Sequence, residues 1–135
     1  MRHLLLIPFT ALLFASCNSG PGPGGSSSIT GKVKYKGNWL SGCTAYLDST
    51  SGFTPVYAPD VDVYLVYGDD PTYGDHVKTS PNGVFLFKYL RKGDYHIYAY
   101  SKNCSISAGT EAVMTSINIP QRNAVMTLPD IRINK

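Results

Sequence analysis

Few side chains in this 135-residue chain are of the types that commonly perform catalysis, and they are dispersed along it. His76 and His96 are the two histidines beyond the N-terminal segment. A histidine works as a general base or a metal ligand only when suitable partners lie close to it. Neither histidine sits in a recognisable motif, so the sequence predicts no catalytic residue, no metal site and no cofactor. An unrecognised hydrolase-type enzyme that uses His76 or His96 with nearby aspartates is the alternative.

A group of aspartates flanks one predicted strand and the turn that follows it: Asp60, Asp62, Asp69, Asp70 and Asp75. Clustered carboxylates can bind Ca²⁺, but this spacing matches no EF-hand loop. Aspartate is also common in turns, where its side chain hydrogen-bonds the nearby backbone. We favour the turn interpretation over a calcium site.

Cys17 is the cysteine with the most informative context. It follows an apolar run from Leu4 to Phe14 and the small pair Ala15 and Ser16. The run is too short to cross a bilayer as a helix and is typical of a secretion signal. The arrangement resembles a bacterial lipoprotein signal peptide with its lipobox, although Phe14 stands where leucine is usual. An ordinary cleaved signal with a coincidental cysteine is the alternative.

This resemblance implies that residues 1–16 are a signal peptide and that Cys17 is lipidated and becomes the new N-terminus. The protein would then be lipid-anchored (palmitate among its acyl chains) to a bacterial membrane of the cell envelope, and we expect the outer membrane. In related Bacteroidota lipoproteins an acidic run after the cysteine directs surface export. No acidic residue stands among Asn18, Ser19 and Gly20, so the periplasmic and surface faces both stay open.

The other two cysteines, Cys43 and Cys104, form an even pair once Cys17 is assigned to lipid. An oxidising compartment outside the cytoplasm allows such a pair to form a disulfide, which we predict. Two buried free thiols are the alternative.

Composition indicates strands and turns. The chain has 10 Tyr, 13 Gly and 9 Pro, only 16% charged residues and a formal charge of +3, which is too small to predict nucleic-acid binding. Residues 17–28 contain no large apolar side chain and are predicted to be a flexible linker. Residues 29–135 are predicted to be one folded domain.

Within that domain, alternating apolar residues and turn signals predict about seven short strands and no helix. Pro81-Asn82-Gly83 is a hairpin signal, and Pro129 predicts a break in the last apolar run. We therefore expect an all-β protein, a single Ig-like β-sandwich. The segment from Gly37 to Asp60 is long and irregular, and a role for it is not evident.

Residues 29–101 resemble the carboxypeptidase regulatory-like family, a small sandwich of transthyretin-like (prealbumin-like) topology. Its opening Gly-x-Val is matched at Gly31 and Val33, and its hairpin pattern at Thr79, Gly83, Phe85 and Phe87. Its closing Leu-x-x-Gly-x-Tyr is matched at Leu90, Gly93 and Tyr95. The resemblance implies a non-enzymatic module. Transthyretin-like hydrolases end in Tyr-Arg-Gly-Ser, whereas this chain ends in Ile131-Arg132-Ile133-Asn134-Lys135.

Strand alternation places Tyr64, Tyr98 and Tyr100 on the outside of the sandwich, with Val66, Val84 and Leu86 beside them. Together with Trp39, these tyrosines are the candidate binding face, since tyrosine offers a large contact area and few rotatable bonds. Strand propensity alone, or the Trp39 loop folding over them, is the alternative.

The sequence thus predicts a non-enzymatic, membrane-tethered cell-envelope lipoprotein. Its sandwich would be a binding or structural module for an envelope protein or a glycan, with no nucleic-acid partner. A purely mechanical spacer is a further alternative.

Overall fold

The computed structural model of the chain describes residues 20–36 and 56–134. Every regular element in these ranges is a strand, and the strands form two sheets. Their bounds are β1 Pro23–Tyr35, β2 Val56–Tyr57, β3 Asp62–Tyr67, β4 Asp75–Lys78, β5 Val84–Leu90, β6 Gly93–Lys102, β7 Thr110–Ile119, β8 Val125–Thr127 and β9 Ile131–Ile133. The all-β sandwich predicted from the sequence is confirmed. It has nine strands where about seven were expected, and three of them are only two or three residues long.

The five-stranded sheet is organised around β1. On one side β1 pairs antiparallel with β5 and, further along, with the short β2. On the other side it pairs in parallel with β8 and then β9. Pro129 falls between β8 and β9, as its inability to donate a backbone hydrogen bond predicts.

The four-stranded sheet has the order β4-β3-β6-β7 and is antiparallel throughout. β6 and β7 form its longest hairpin, in register from the pair Gly93 and Ile119 to the pair Lys102 and Thr110. β3 and β4 are joined by residues 68–74, a loop that later matters for the site.

The core lies between the sheets and consists of the inward residues of alternating strands. The inward positions predicted in β3, β5 and β6 are buried, with at most 1% of each side chain exposed: Val63, Leu65, Phe85, Phe87, Tyr95, Ile97 and Ala99. Gly31 is needed at its place in β1, since a Cβ there would lie 2.6 Å from the Phe85 ring.

The turn at Pro81-Asn82-Gly83 differs from the prediction. Gly83 has φ 70° and its N–H donates to the carbonyl of Ser80 at 2.8 Å, so a tight turn is present. It does not make a hairpin, however, because β4 pairs only with β3, and β5 pairs with β1 in the other sheet. The turn carries the chain from one sheet to the other, a topology that local turn chemistry does not reveal.

Residues 23–28, which we expected to be linker, form the first half of β1. Ser27 is buried: its hydroxyl accepts from the N–H of Ala124 and donates to the carbonyl of Gln121. A Cβ at Gly25 would collide with the carbonyl of Leu90. The small residues that indicated flexibility therefore allow close packing instead.

Tyr95 fastens the start of this segment. Its buried hydroxyl donates to the carbonyl of Arg91 at 2.7 Å and accepts from the N–H of Gly22 at 2.9 Å. A tyrosine hydroxyl bonded to upstream backbone is a known device of sandwich folds. Here it also joins the beginning of the described chain to β6.

Within the described ranges no helix is long and apolar enough to cross a membrane.

Candidate binding groove on the four-stranded sheet

The outward face of the four-stranded sheet changes character along β6. Because alternate residues face the same side, β6 presents Tyr100, Tyr98, His96 and Asp94 in turn. At the rise of a strand, these four positions span about 20 Å. The face is therefore aromatic at one end and acidic at the other.

The aromatic end is a cluster of four tyrosines and one histidine. Tyr64 and Tyr98 are cross-strand partners whose rings stack, with centroids 5.0 Å apart and an interplanar angle of 14°. Tyr100 meets both rings edge-on at 5.7 and 5.6 Å. Tyr73 meets Tyr64 at 4.9 Å, and His76 stacks on Tyr64 at 5.9 Å. We call these five residues the aromatic cluster.

Exposure divides the four tyrosines of the cluster into two roles. Tyr73 and Tyr100 are 49% and 51% exposed, whereas Tyr64 and Tyr98 are only partly exposed. Aromatic pairs in stacked and edge-to-face contact stabilise each other beyond the area that they bury. The stacked pair therefore supports the two more exposed rings, which offer the larger surface to a ligand.

The loop of residues 68–74 forms a wall beside the cluster. Asp69 to Tyr73 stand next to β6, and Val66 beneath them is only 8% exposed. Val66 lines the groove on the outward face, as strand alternation predicted, but little of its side chain is exposed. Val84 and Leu86, in contrast, belong to β5 in the other sheet, so they do not join the tyrosines.

Between this wall and the strands run two adjoining depressions. One encloses about 570 Å³ between the loop and Tyr98, Tyr100 and Met114. The other encloses about 760 Å³ and is lined by Asp69, Asp94, Asn118 and neighbouring residues. Both include Gly68, Asp69, Asp70 and His96 in their lining, so they form one groove with an aromatic end and an acidic end.

Polar groups in the acidic end hold one another in place. The amide nitrogen of Asn118 donates to Asp94 Oδ1 at 2.7 Å. His96 Nδ1 lies 2.7 Å from Ser116 Oγ, and its Nε2 lies 4.0 Å from Asp69 Oδ1. The side chain of Asp69 is fully exposed, so its attraction to His96 is weakened by water.

The hydroxyls of the stacked pair, Tyr64 and Tyr98, keep their protons at neutral pH, because the pKa of each is raised. Burial raises the pKa of Tyr98, and the adjacent Tyr100 raises it further. Burial also raises the pKa of Tyr64, with a smaller contribution from the carboxylate of Asp62. A neutral phenol both donates and accepts hydrogen bonds, so these rings combine an apolar face with a polar edge.

The structure brings together Tyr64, Tyr98 and Tyr100, as strand alternation predicted. Cys17, Trp39 and Cys43 lie outside the described residues, and Cys104 is an exposed residue of the turn between β6 and β7. His76 lies in the aromatic cluster, away from the aspartates of the groove. Tyr73 was missed because it lies in a loop. Its only signal was a tyrosine in a short turn beside the Tyr64 strand.

In the described part of the chain, no three His, Cys, Asp or Glu side chains come together in a way that could hold a metal ion. The five aspartates considered for calcium are spread among three places. Asp60 and Asp62 pair with Lys78, Asp69 and Asp70 lie in the groove wall, and Asp75 begins β4, where it accepts from the N–H of His76.

No protein-family model matches the chain, and no curated protein sequence matches it. The solved structures that are similar in fold include two bacterial proteins. One is a protein from Pseudomonas aeruginosa proposed to bind carbohydrate, with 16% identity, a TM-score of 0.46 and coverage of 79% of this chain and 91% of that one. The other is the TIE protein of Bacillus anthracis, with 13% identity, a TM-score of 0.45 and coverage of 79% and 18%.

Proposed function

We propose that this protein is a non-enzymatic lipoprotein of the bacterial cell envelope whose sandwich binds a glycan in the groove of the four-stranded sheet. The observation that carries the proposal is the pair of half-exposed rings, Tyr73 and Tyr100, braced by the stacked Tyr64 and Tyr98. Such rings offer flat apolar surface that is already ordered, which lowers the entropy cost of binding.

A glycan matches both ends of the groove. The C–H faces of a sugar ring pack on aromatic faces, while its hydroxyls need hydrogen-bond partners around the edge. The tyrosine hydroxyls, Asn118, Ser116 and the carboxylates supply such partners. The groove is also open along its length, which suits a chain of sugars better than a small enclosed ligand.

The proposal divides the tyrosines by role. Tyr73 and Tyr100 contact the ligand, and Tyr64 and Tyr98 position them. A glycan array, followed by titration calorimetry with the sugars that bind, tests it. We expect Tyr100→Ala to abolish binding to the array and Tyr64→Phe to retain most of it. Failure of the wild-type protein to bind any glycan would contradict the proposal.

Membrane attachment through Cys17 is a separate part of the proposal, supported by the lipobox resemblance. Since Tyr95 fixes Gly22 to the sandwich, four residues lie between the proposed anchor, Cys17, and the domain. Fully extended, the five steps from Cys17 to Gly22 span about 18 Å at most. Pro21 lines the acidic end of the groove, so that end would face the anchored side. Lipid-labelling of cells expressing the wild type and Cys17→Ser tests this, and equal labelling of both would contradict it.

A disulfide between Cys43 and Cys104 also belongs to the proposal. On the chain-entropy model a bond closing a loop of this length stabilises the fold by about 4 kcal/mol. Mass spectrometry of the non-reduced, alkylated protein tests it, and alkylation of both thiols without reduction would contradict it.

A second candidate function is hydrolysis, favoured by the contact of His96 with Ser116 and Asp69. A serine, a histidine and a carboxylate in sequence are the parts of a nucleophilic triad. Asp69 is fully exposed at 4.0 Å and holds the imidazole weakly, which makes this candidate the poorer one. Ester and glycoside substrates turned over by the wild type and by neither Ser116→Ala nor His96→Ala would establish it.

A protein partner or a purely mechanical spacer role would leave the groove without a glycan. Tyrosine-rich surfaces serve protein recognition as well, so an envelope protein retained by the wild type and lost with Tyr100→Ala would replace the glycan as ligand. A spacer would tolerate Tyr73→Ser and Tyr100→Ser together with no change in phenotype.

A further inference from the structure

The charges of the molecule are divided between its two sheets. The strands of the five-stranded sheet carry only basic charged residues, Lys32, Lys34, Lys88 and Arg132, although Lys34 pairs with Asp130 of the loop before β9. The four-stranded sheet and its two hairpin loops carry mainly acidic ones: Asp62, Asp69, Asp70, Asp75, Asp94 and Glu111, against Lys78 and Lys102. The chain as a whole is basic, at +3, so the acidity of the groove is a local property.

The groove itself shows the strongest imbalance. Asp69, Asp70 and Asp94 line it, and none of the described residues in its lining is Lys or Arg. Asp94 accepts a hydrogen bond from the uncharged amide of Asn118. An anionic ligand would be repelled here, and a cationic one would be attracted.

The aromatic end favours a cation as well. A ring face attracts an ammonium group through its quadrupole, and Tyr73 and Tyr100 are half-exposed. On the other sheet the same attraction is already used, because Lys32 and Lys34 each lie 5.3 Å from the centre of the Tyr57 ring. In the groove, Tyr73 and Tyr100 contact the neighbouring rings edge-on and remain half-exposed.

Resting on the proposed function, we infer that the glycan of this groove carries free amino groups, as in a glucosamine oligomer. Its ammonium groups pair with Asp69, Asp70 and Asp94, while its ring faces pack on Tyr73 and Tyr100. Neutral sugars would use only the second set of contacts. Acidic sugars would be excluded by the carboxylates.

Three β-1,4-linked hexamers that differ only in the group at C2 make the test: glucosamine, N-acetylglucosamine and glucose. Their affinities are measured by calorimetry with the mature protein, which is purified after the cell has expressed and processed the full-length chain. All titrations use one low salt concentration and one mildly acidic pH, at which the sugar amines are protonated. We expect the glucosamine hexamer to bind about five- to tenfold more tightly than the other two, as two or three exposed charge pairs allow. Raising the salt should remove that preference.

A matched pair of double variants separates local from overall charge. Asp69→Asn with Asp70→Asn removes two carboxylates from the groove and should lower the preference to less than twofold. Asp60→Asn with Glu111→Gln removes two carboxylates that do not line it. Asn is suited to position 60, whose φ is 56°. This control should keep the preference.

The outcomes distinguish the inference from the proposed function. Equal binding of all three hexamers would overturn the inference and leave the glycan proposal intact, and so would tighter binding of the acetylated hexamer. Binding of none would overturn both. Loss of the preference in the control variant as well as in the groove variant would show that net charge, and not the groove, is responsible, which also overturns the inference. Binding of a lysine-rich peptide in preference to every sugar would identify a peptide as the cationic ligand.

Discussion

The two outer faces of the sandwich use tyrosine in different ways. On the five-stranded sheet the ammonium groups of Lys32 and Lys34 each lie 5.3 Å from the centre of the exposed Tyr57 ring. On the four-stranded sheet Tyr73 and Tyr100 stand half-exposed on a stacked pair, beside carboxylates. Exposed tyrosine is therefore not informative in itself. The charged groups beside the ring are informative. Tyr57 already has two ammonium groups near its face, whereas the groove tyrosines lie beside carboxylates and can accept a ligand.

The inner faces of the two sheets do not differ in this way, because both contribute residues to one hydrophobic core. Phe85 of β5 is 1% exposed and packs in the cluster that also contains Tyr95 and Ile97 of β6. The two outer faces can differ because alternation lets each strand serve the common core with one set of residues and its own surface with the other.

The largest expected effect is on this shared core. Phe85→Ala should lower the free energy of unfolding by about 3–5 kcal/mol, since a buried aromatic ring leaves a cavity. Thermal unfolding followed by circular dichroism measures it. A single cooperative transition at a lower temperature is expected. Two separate transitions would show that the sheets unfold independently and would contradict the claim that they share one core.

The second largest expected effect is the loss of stability when the hydrogen bond between Tyr95 and the N-terminal segment is removed. Tyr95→Phe removes the partner of the buried Gly22 N–H and should cost about 1–3 kcal/mol. Chemical denaturation measures the change. Tyr89→Phe, at a side chain that is 71% exposed, is the control and should stay within about 0.5 kcal/mol. Equal effects of the two variants would refute the role of the Tyr95 hydroxyl.

The contrast between the two faces is tested by a matched pair of truncations. Tyr100→Ala on one face should weaken glycan binding by about tenfold or more, as loss of a central aromatic contact does. Tyr57→Ala on the other face, where the ring is similarly exposed at 40%, should leave affinity unchanged. Calorimetry with a glycan that the array identifies gives both values. A loss of affinity from Tyr57→Ala would indicate that the glycan binds to the five-stranded sheet and would contradict the proposed site.

The smallest effect concerns alkaline pH. Burial raises the pKa of Tyr64 and Tyr98 in the folded protein above the ordinary value of 10.0. The unfolded chain therefore loses these protons first as the pH rises. Stability from these groups is complete below about pH 10 and declines as the pH rises through the folded-state values. Denaturation at several pH values should show this decline, and Tyr64→Phe should reduce it. A stability that rises above pH 10 would contradict the assignment.

The sequence predicted the sandwich and most of its inward residues because alternation is a local property of a strand. It could not show that the turn at Gly83 joins different sheets, since a tight turn has the same residues in either case. It also assigned residues 23–28 to a linker. Glycine and serine favour flexibility only until a neighbouring backbone comes close, and the approach of Leu90 to Gly25 depends on the whole fold.

The candidate site was predicted only in part for a similar reason. Strand alternation placed Tyr64, Tyr98 and Tyr100 on one side, and their cross-strand contacts follow from the register of β3 with β6. Tyr73 and the groove wall belong to the loop of residues 68–74. The path of a loop cannot be predicted from alternation, because loop residues follow no regular pattern. Val66 lines the outward groove, as alternation predicts, but its low exposure could not be read from alternation alone.

The most direct test of the account is to map ligand contacts by nuclear magnetic resonance while the protein is titrated with a glycan that it binds. The account predicts that backbone amide shifts change along β6 from Asp94 to Tyr100, in the loop of residues 68–74 and in the facing part of β7. The amides around Lys32, Lys34 and Tyr57 on the other sheet should not move. Shifts centred on that second group, with β6 unaffected, would contradict it.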